Sequence, residues 1–234
     1  MSAFRNEGRY EGRQYSREGP RVVAYGMASR STTQHLVPAF FGVALLAAAC
    51  GGGPPGGEGA SDGSESDPQL VFWDELQDLC GGAYAGRLEE AVPPDHGFAA
   101  ADLVMHAHYC DIAEVRIGFH VGENRSRTWV ITPTAAGLEL RHDHRHEDGS
   151  PDAITMYGGE SRGIGTETAQ DFPADARTAE MVPEAATNVW TVELHPDSAF
   201  VYALRRDGSD RRFRVSFDLT RAVEPPPPPW GWSR

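Results

Sequence analysis

Two periodicities of apolar residues divide the segment from Gln69 to Val223 into different kinds of secondary structure. In the first stretch, apolar residues recur at helical spacing at Leu70, Trp73, Leu76 and Leu79. This spacing predicts one short amphipathic helix. After Gly81-Gly82 the period changes to two, which is typical of β-strands.

Alternation of apolar and polar residues predicts about nine strands in the rest of this segment. They cover residues 83–91, 103–109, 115–121, a strand through 129–131, one from 138, 154–157, 188–194, 199–206 and 211–219. The stretch 161–186 lacks a clear period, so it is predicted to be a loop.

The connections between these strands are short, which favours an antiparallel meander. A sheet with one apolar face must close on itself or pack against a second sheet. We therefore expect a mainly β fold: a partly closed, lipocalin-like barrel with one short N-terminal helix at its mouth. A β-sandwich is the alternative.

The apolar run of residues 36–49, LVPAFFGVALLAAA, is too short to span a bilayer and fits a signal-peptide core. It ends in small residues directly before Cys50, which resembles the lipobox of bacterial lipoproteins, although Ala47 stands where that pattern usually has leucine. The resemblance implies cleavage before Cys50 and acylation of this cysteine. The alternatives are an ordinary secretory signal or a short buried helix.

Residues 1–26 hold five arginines and three glutamates, too long a charged stretch to precede such a signal. Translation is therefore predicted to start at Met27. The expected organisation is a mis-assigned start (1–26), a lipoprotein signal peptide (27–49), a Gly/Ser/acidic tether (50–68), a single β domain (69–223) and a Pro/Trp tail (224–234). The tail either packs on the domain or recognises a partner.

Charge and composition exclude some functions. All 21 basic residues are arginine, so no lysine can form a Schiff base. Loss of residues 1–49 changes the formal net charge from −13 to −16, because six arginines and three glutamates leave with them. Such a chain repels nucleic acid and anionic lipid. Contact with a membrane is therefore expected through the lipid anchor, with the domain in the cell envelope, outside the cytoplasm.

Cys80 and Cys110 remain as a pair if Cys50 is acylated. In an oxidising exported compartment such a pair predicts a disulfide. The alternative is two buried thiols.

The segment Arg141–Asp148 is the most distinctive in the chain. Period two places His142, His144 and His146 on one strand face, the face that Leu138 and Leu140 share. Histidines at alternate strand positions can bind a divalent metal such as zinc, with a further ligand from a neighbouring strand. The alternative is a hydrogen-bonded histidine ladder. A second pair, His106 and His108, is expected to face solvent.

The segment 121–130 brings arginines and an aromatic residue together. Arg125 and Arg127 could bind a carboxylate or phosphate at a barrel mouth, with Trp129 and Tyr157 lining the pocket. The alternatives are salt bridges with the abundant acids, and aromatic side chains that are simply core.

No nucleophile elbow, P-loop, dinucleotide fingerprint or HExxH motif is present, so the sequence favours binding over catalysis. Three functions stay open. The first is small-ligand binding in a lipid-anchored barrel. The second is metal binding or metal-dependent catalysis by the histidine row. The third is a structural or interaction module of the envelope.

Several segments together resemble an uncharacterised family of bacterial exported proteins. They are LCGGAY (79–84), FHVGENRSRTWV (119–130), LRHDHRHEDGS (140–150), TNVWTVEL (187–194), RRFRVSFDLT (211–220) and PPPPPWG (225–231). The resemblance covers nearly the whole domain and implies export. It implies no activity, cofactor or site.

Overall fold

A computed structural model describes residues 67–233 of the chain. The predictions of a start at Met27, a signal peptide, acylation of Cys50 and a flexible tether all lie outside these residues, apart from the last two positions of the tether. Among the described residues, no helix is long and apolar enough to cross a membrane.

The described chain forms ten antiparallel strands and three short α-helices. The elements are α1 (Pro68–Asp78), β1 (Ala83–Val92), α2 (His96–Ala99), β2 (Leu103–Cys110), β3 (Val115–Val121), β4 (Asn124–Thr134), β5 (Gly137–His144), β6 (Tyr157–Glu160), β7 (Ala169–Pro173), α3 (Ala176–Met181), a 3₁₀ turn (Pro183–Ala185), β8 (Asn188–His195), β9 (Ala199–Arg206) and β10 (Arg212–Ala222). The predicted mainly β fold is confirmed.

The strands form one sheet in the order β6-β5-β4-β3-β2-β1-β10-β9-β8-β7. Apart from β6 and β7, consecutive strands are neighbours, and β1 pairs with β10, so the sheet curls into a nearly closed barrel. The one gap lies between β6 and β7. Here Thr178 of α3 bridges the gap: its hydroxyl accepts from the Gly158 N–H at 2.7 Å and donates to the Gly158 carbonyl at 2.8 Å.

Helix α1 covers one end of the barrel. The Asp67 side chain caps the helix by accepting a hydrogen bond from the Gln69 N–H at 2.9 Å. Pro68 occupies the first turn, where its lack of a backbone N–H costs no hydrogen bond. Phe72 and Leu76 are completely buried. The prediction that Leu70 lies on the buried face of the helix was wrong: Leu70 is 62% exposed, and Phe72 is buried instead.

Two segments differ from the predicted strands. The strand predicted at 154–157 begins only at Tyr157, and the predicted loop 161–186 contains β7 and α3. Strand β7 was missed because its inward positions are Gln170 and Phe172, so a buried polar residue breaks the apolar alternation. The Gln170 side chain is satisfied inside: its Oε1 accepts from the Gln69 amide at 3.1 Å.

A disulfide joins Cys80, just after α1, to Cys110 at the end of β2. The predicted bridge is therefore confirmed. It ties the helix to the barrel at the end that α1 covers, and it closes a loop with a sequence separation of 30.

The C-terminal tail packs on the outer face of the sheet. The backbone N–H of Trp230 donates to the backbone carbonyl of Arg125 at 3.1 Å, and Pro229 is buried. The Trp232 ring lies 4.7 Å from the His108 ring. The prediction that His108 faces solvent was therefore wrong, because strand periodicity identifies a face and not what covers it.

Candidate functional site

The histidine row divides between the barrel interior and its surface. His142 pairs with Trp129 in the β4–β5 register and is only 3% exposed. His144, the last residue of β5, pairs with Arg127. His146 lies beyond the strand in an exposed turn. The structure therefore brings His142 and His144 to the interior and leaves His146 outside, because β5 ends two residues too early.

His142 is held in one tautomer by two hydrogen bonds. Its Nδ1 lies 3.0 Å from the Tyr157 carbonyl oxygen, which can only accept, so Nδ1 carries the proton. Its Nε2 then accepts from the Tyr202 hydroxyl at 2.6 Å. Burial lowers the pKa of His142 to about 3, so the ring is neutral at physiological pH. Neither ring nitrogen of His142 has a lone pair free for a metal.

Metal binding therefore receives no support from this geometry. Within residues 67–233, no group of three or more His, Cys, Asp or Glu side chains is arranged to hold a metal ion. His142 uses both ring nitrogens, and His146 lies exposed beyond the end of β5. A zinc site at His142, His144 and His146 stays a prediction.

The opposite end of the barrel from α1 carries a group of four side chains that we call the mouth cluster: Phe98, Arg127, His144 and Tyr157. The Tyr157 hydroxyl is hydrogen-bonded to Nε2 of His144 over 3.2 Å. Burial raises the pKa of Tyr157 to about 12, so its hydroxyl stays protonated. The pKa of His144 falls to about 4, first because of burial and then because of the Arg127 charge.

Arg127 is the only member of the mouth cluster that is charged at neutral pH. Its Nη1 donates to Asn124 Oδ1 at 3.3 Å and makes a long contact of 3.5 Å with Ser126 Oγ. No carboxylate of the described residues lies within 4.0 Å of it. The Arg127 side chain is half-buried, and burial lowers the pKa of its guanidinium, while the charge of Asp95 opposes part of this shift. The cluster thus holds a half-buried cation that forms no ion pair with a described carboxylate, although the charge of Asp95 acts on it.

Phe98 of α2 covers the apolar side of the mouth. Its ring packs edge-on against Phe119 at 5.3 Å and Phe213 at 5.9 Å. The Arg127 guanidinium lies 5.9 Å from the centre of the same ring. Sequence reasoning missed Phe98, because a four-residue helix inside a connection has no period. The only available signal was a large aromatic residue in a segment rich in Pro, Gly and Asp.

The four predicted ligand-binding residues do not form one site. Arg127 and Tyr157 meet in the mouth cluster. Trp129 lies deeper, 2% exposed, with its ring 4.2 Å from that of Tyr202, so it belongs to the core. Arg125 lies under the tail on the outer face, where its Nη1 donates to the Pro228 carbonyl at 3.1 Å.

Comparisons of this chain with protein-family models, with curated proteins and with solved structures gave no match. The resemblance to exported bacterial proteins therefore rests on the sequence motifs alone.

Proposed function

We propose that this protein binds a small amphipathic anion, with a carboxylate or phosphate head, at the mouth cluster of its barrel. The observation that carries the proposal is Arg127. The chain has 34 acidic residues against 21 basic ones, yet no described carboxylate pairs with this arginine. A half-buried guanidinium that forms no ion pair attracts an external anion, to which it can donate two parallel hydrogen bonds.

The neighbours of Arg127 favour an anion that also has an apolar part. Phe98 lies beside the guanidinium and seals the aromatic interior behind it. The Tyr157 hydroxyl offers a further polar contact. Because aromatic rings already fill the interior, the apolar part of a ligand must take the place of the Phe98 ring. Phe98 is thus a plug that has to move when the ligand enters.

Binding is best tested with three matched probes: decanoate, decan-1-ol and butanoate. Isothermal titration of the full chain is expected to give clear binding of decanoate and at least about tenfold weaker binding of the other two. Arg127→Gln should lower decanoate affinity by about 10- to 100-fold, which corresponds to a charge-assisted hydrogen bond of about 1.5–3 kcal/mol. Equal affinity for decanoate and decan-1-ol would contradict an anion site.

The chain offers a matched control on the same strand. Arg125→Gln removes the same charge from the outer face and should leave decanoate affinity within about twofold. A second variant, Phe98→Ala, should speed decanoate association while keeping the preference for the anion, because the plug no longer has to be displaced.

We also propose that the barrel acts as a lipid-anchored protein of the cell envelope. The support is the apolar run before Cys50 and the Gly/Ser/acidic segment after it. Metabolic labelling with a radioactive fatty acid should mark the parent and leave Cys50→Ser unlabelled. Labelling of both proteins, or of neither, would refute acylation at this cysteine.

A further inference from the structure

Three histidines form a second cluster, on the outer face of β2 and β3. His106 pairs with Gly118 in the β2–β3 register, and His120 pairs with the residue two positions before His106. The His106 and His108 rings are 6.1 Å apart. His120 is 2% exposed, although it points away from the barrel interior. These residues are His106, His108 and His120, which we call the outer histidines.

The C-terminal segment 225–233 lies over two of the outer histidines, His108 and His120. Gly118 makes room for it: a Cβ at this position would lie 2.8 Å from Pro229 Cγ and 2.9 Å from His120 Nε2. Two hydrogen bonds between Arg125 and the tail backbone hold the segment in place, each 3.1 Å long. The tail can therefore pack here only because residue 118 has no side chain.

The covered imidazoles lack hydrogen-bond partners. Both ring nitrogens of His108 and of His120, and Nδ1 of His106, are buried without a partner among the described residues. Burial lowers the pKa of His108 and of His120 to about 4, and mutual repulsion adds to the shift. The pKa of His106 is also lowered by burial. The docked arrangement therefore requires neutral rings.

The described carboxylates that line the clefts beside His108 are already paired with arginines. Strand β1 places Ala83 opposite His106, and the described tail residues 225–233 carry no charged side chain. The charged neighbours are Glu114 and Arg116 on β3, Arg125 on β4, and Asp143 and Arg145 at the β5 end of the cleft beside His108. Glu114 already pairs with Arg116, and Asp143 pairs with Arg145.

We propose that residues 225–233 form an acid-released strap, which lies on the sheet while the outer histidines are neutral and detaches when they take up protons. Release exposes both a histidine-rich face and a proline/tryptophan peptide. The strap is on the outer face of the barrel and does not depend on ligand binding at the mouth.

The direction of the pH effect on the strap follows from the linkage between proton binding and docking. The docked rings bind protons less readily than free ones, so docking is favoured above about pH 6.5 and weakens as the pH falls toward 4. At pH 5, a histidine that changes from a pKa of about 4 when docked to 6.5 when free shifts the equilibrium toward release by about 30-fold. His108 and His120 together therefore shift it by up to about 1,000-fold.

The strap can be followed in the full chain by ¹⁹F NMR after labelling with 5-fluorotryptophan. Trp232 reports the strap and Trp129, in the core, reports the barrel. Gly118→Ala, which places a methyl group against Pro229, supplies the released reference spectrum. Between pH 8 and pH 5 the Trp232 resonance is expected to move to the released position while the Trp129 resonance stays unchanged.

The variant His108→Gln/His120→Gln should keep the strap docked at pH 5, and each single substitution should reduce the number of protons coupled to release by about one. His195→Gln, on an exposed strand end, is the control and should behave as the parent. If Trp232 moves only when Trp129 does, or if the double variant keeps the full pH dependence, the strap proposal is overturned.

Discussion

The buried interior histidine His142 should make the barrel less stable in mild acid. The ordinary pKa of histidine is 6.5, and burial of the ring lowers the pKa of His142 to about 3 in the folded protein. At pH 5 the unfolded chain binds nearly one proton at this position and the folded chain binds almost none. The stability that the neutral ring provides is therefore complete above about pH 6.5 and is lost progressively below it.

The size of this effect follows from the same two values. Integrated from pH 7 to pH 5, the linkage relation gives a loss of about 2 kcal/mol for His142. His144, whose pKa is about 4, adds a similar loss. These losses are large compared with the roughly 5–15 kcal/mol by which a folded domain is stable. Most carboxylates of an unfolded chain titrate below pH 5, so this range isolates the histidines.

Urea unfolding of the parent and of His142→Gln, followed by far-UV circular dichroism at pH 7, 6 and 5, tests this reasoning. The variant will differ in absolute stability, so the compared quantity is the change in unfolding free energy with pH. We expect this change to be about 2 kcal/mol smaller in the variant. His146→Gln, in an exposed turn, is the matched control. If the variant and the parent show the same pH dependence, His142 is not the buried neutral ring described here.

Two further predictions concern the barrel itself. Thr178→Val removes the hydroxyl that bridges the gap at Gly158 and leaves a buried N–H without its partner, so urea unfolding should show a loss of about 1–3 kcal/mol; an unchanged midpoint would mean that the gap is closed by other contacts. Cys80→Ser/Cys110→Ser should lower stability by about 3–4 kcal/mol in the same assay, because the bridge closes a long loop of the unfolded chain. A loss below about 1 kcal/mol would contradict this account of the disulfide.

The sequence predicted the barrel well because its signals are local. Alternation along β10, as at Val215 and Phe217, reflects burial on one face of a strand, and short connections specify antiparallel neighbours. The alternation of apolar and polar residues failed to predict a strand where a polar residue is buried. Gln170 is 1% exposed and hydrogen-bonded inside, so β7 did not look like a strand.

The candidate site was harder to predict because it depends on contacts between distant segments. Sequence reasoning predicted that Arg125 and Arg127 share one site. In the structure, a register shift between β3 and β4 lies close to these residues, and the two side chains lie on opposite sides of the sheet. Phe98 reaches the mouth from a connection without periodicity. The tail covers His108 from more than a hundred residues away, which no strand pattern can indicate.

The most direct test of the central claim is to locate a bound anion by NMR. With ¹³C-labelled decanoate and the full chain, we expect intermolecular nuclear Overhauser effects between the alkyl chain and the ring protons of Phe98 and Tyr157. We also expect a change in the carboxylate ¹³C shift that disappears in Arg127→Gln. Effects confined to Trp232 on the outer face, or a carboxylate shift that persists in Arg127→Gln, would contradict an anion site at the barrel mouth.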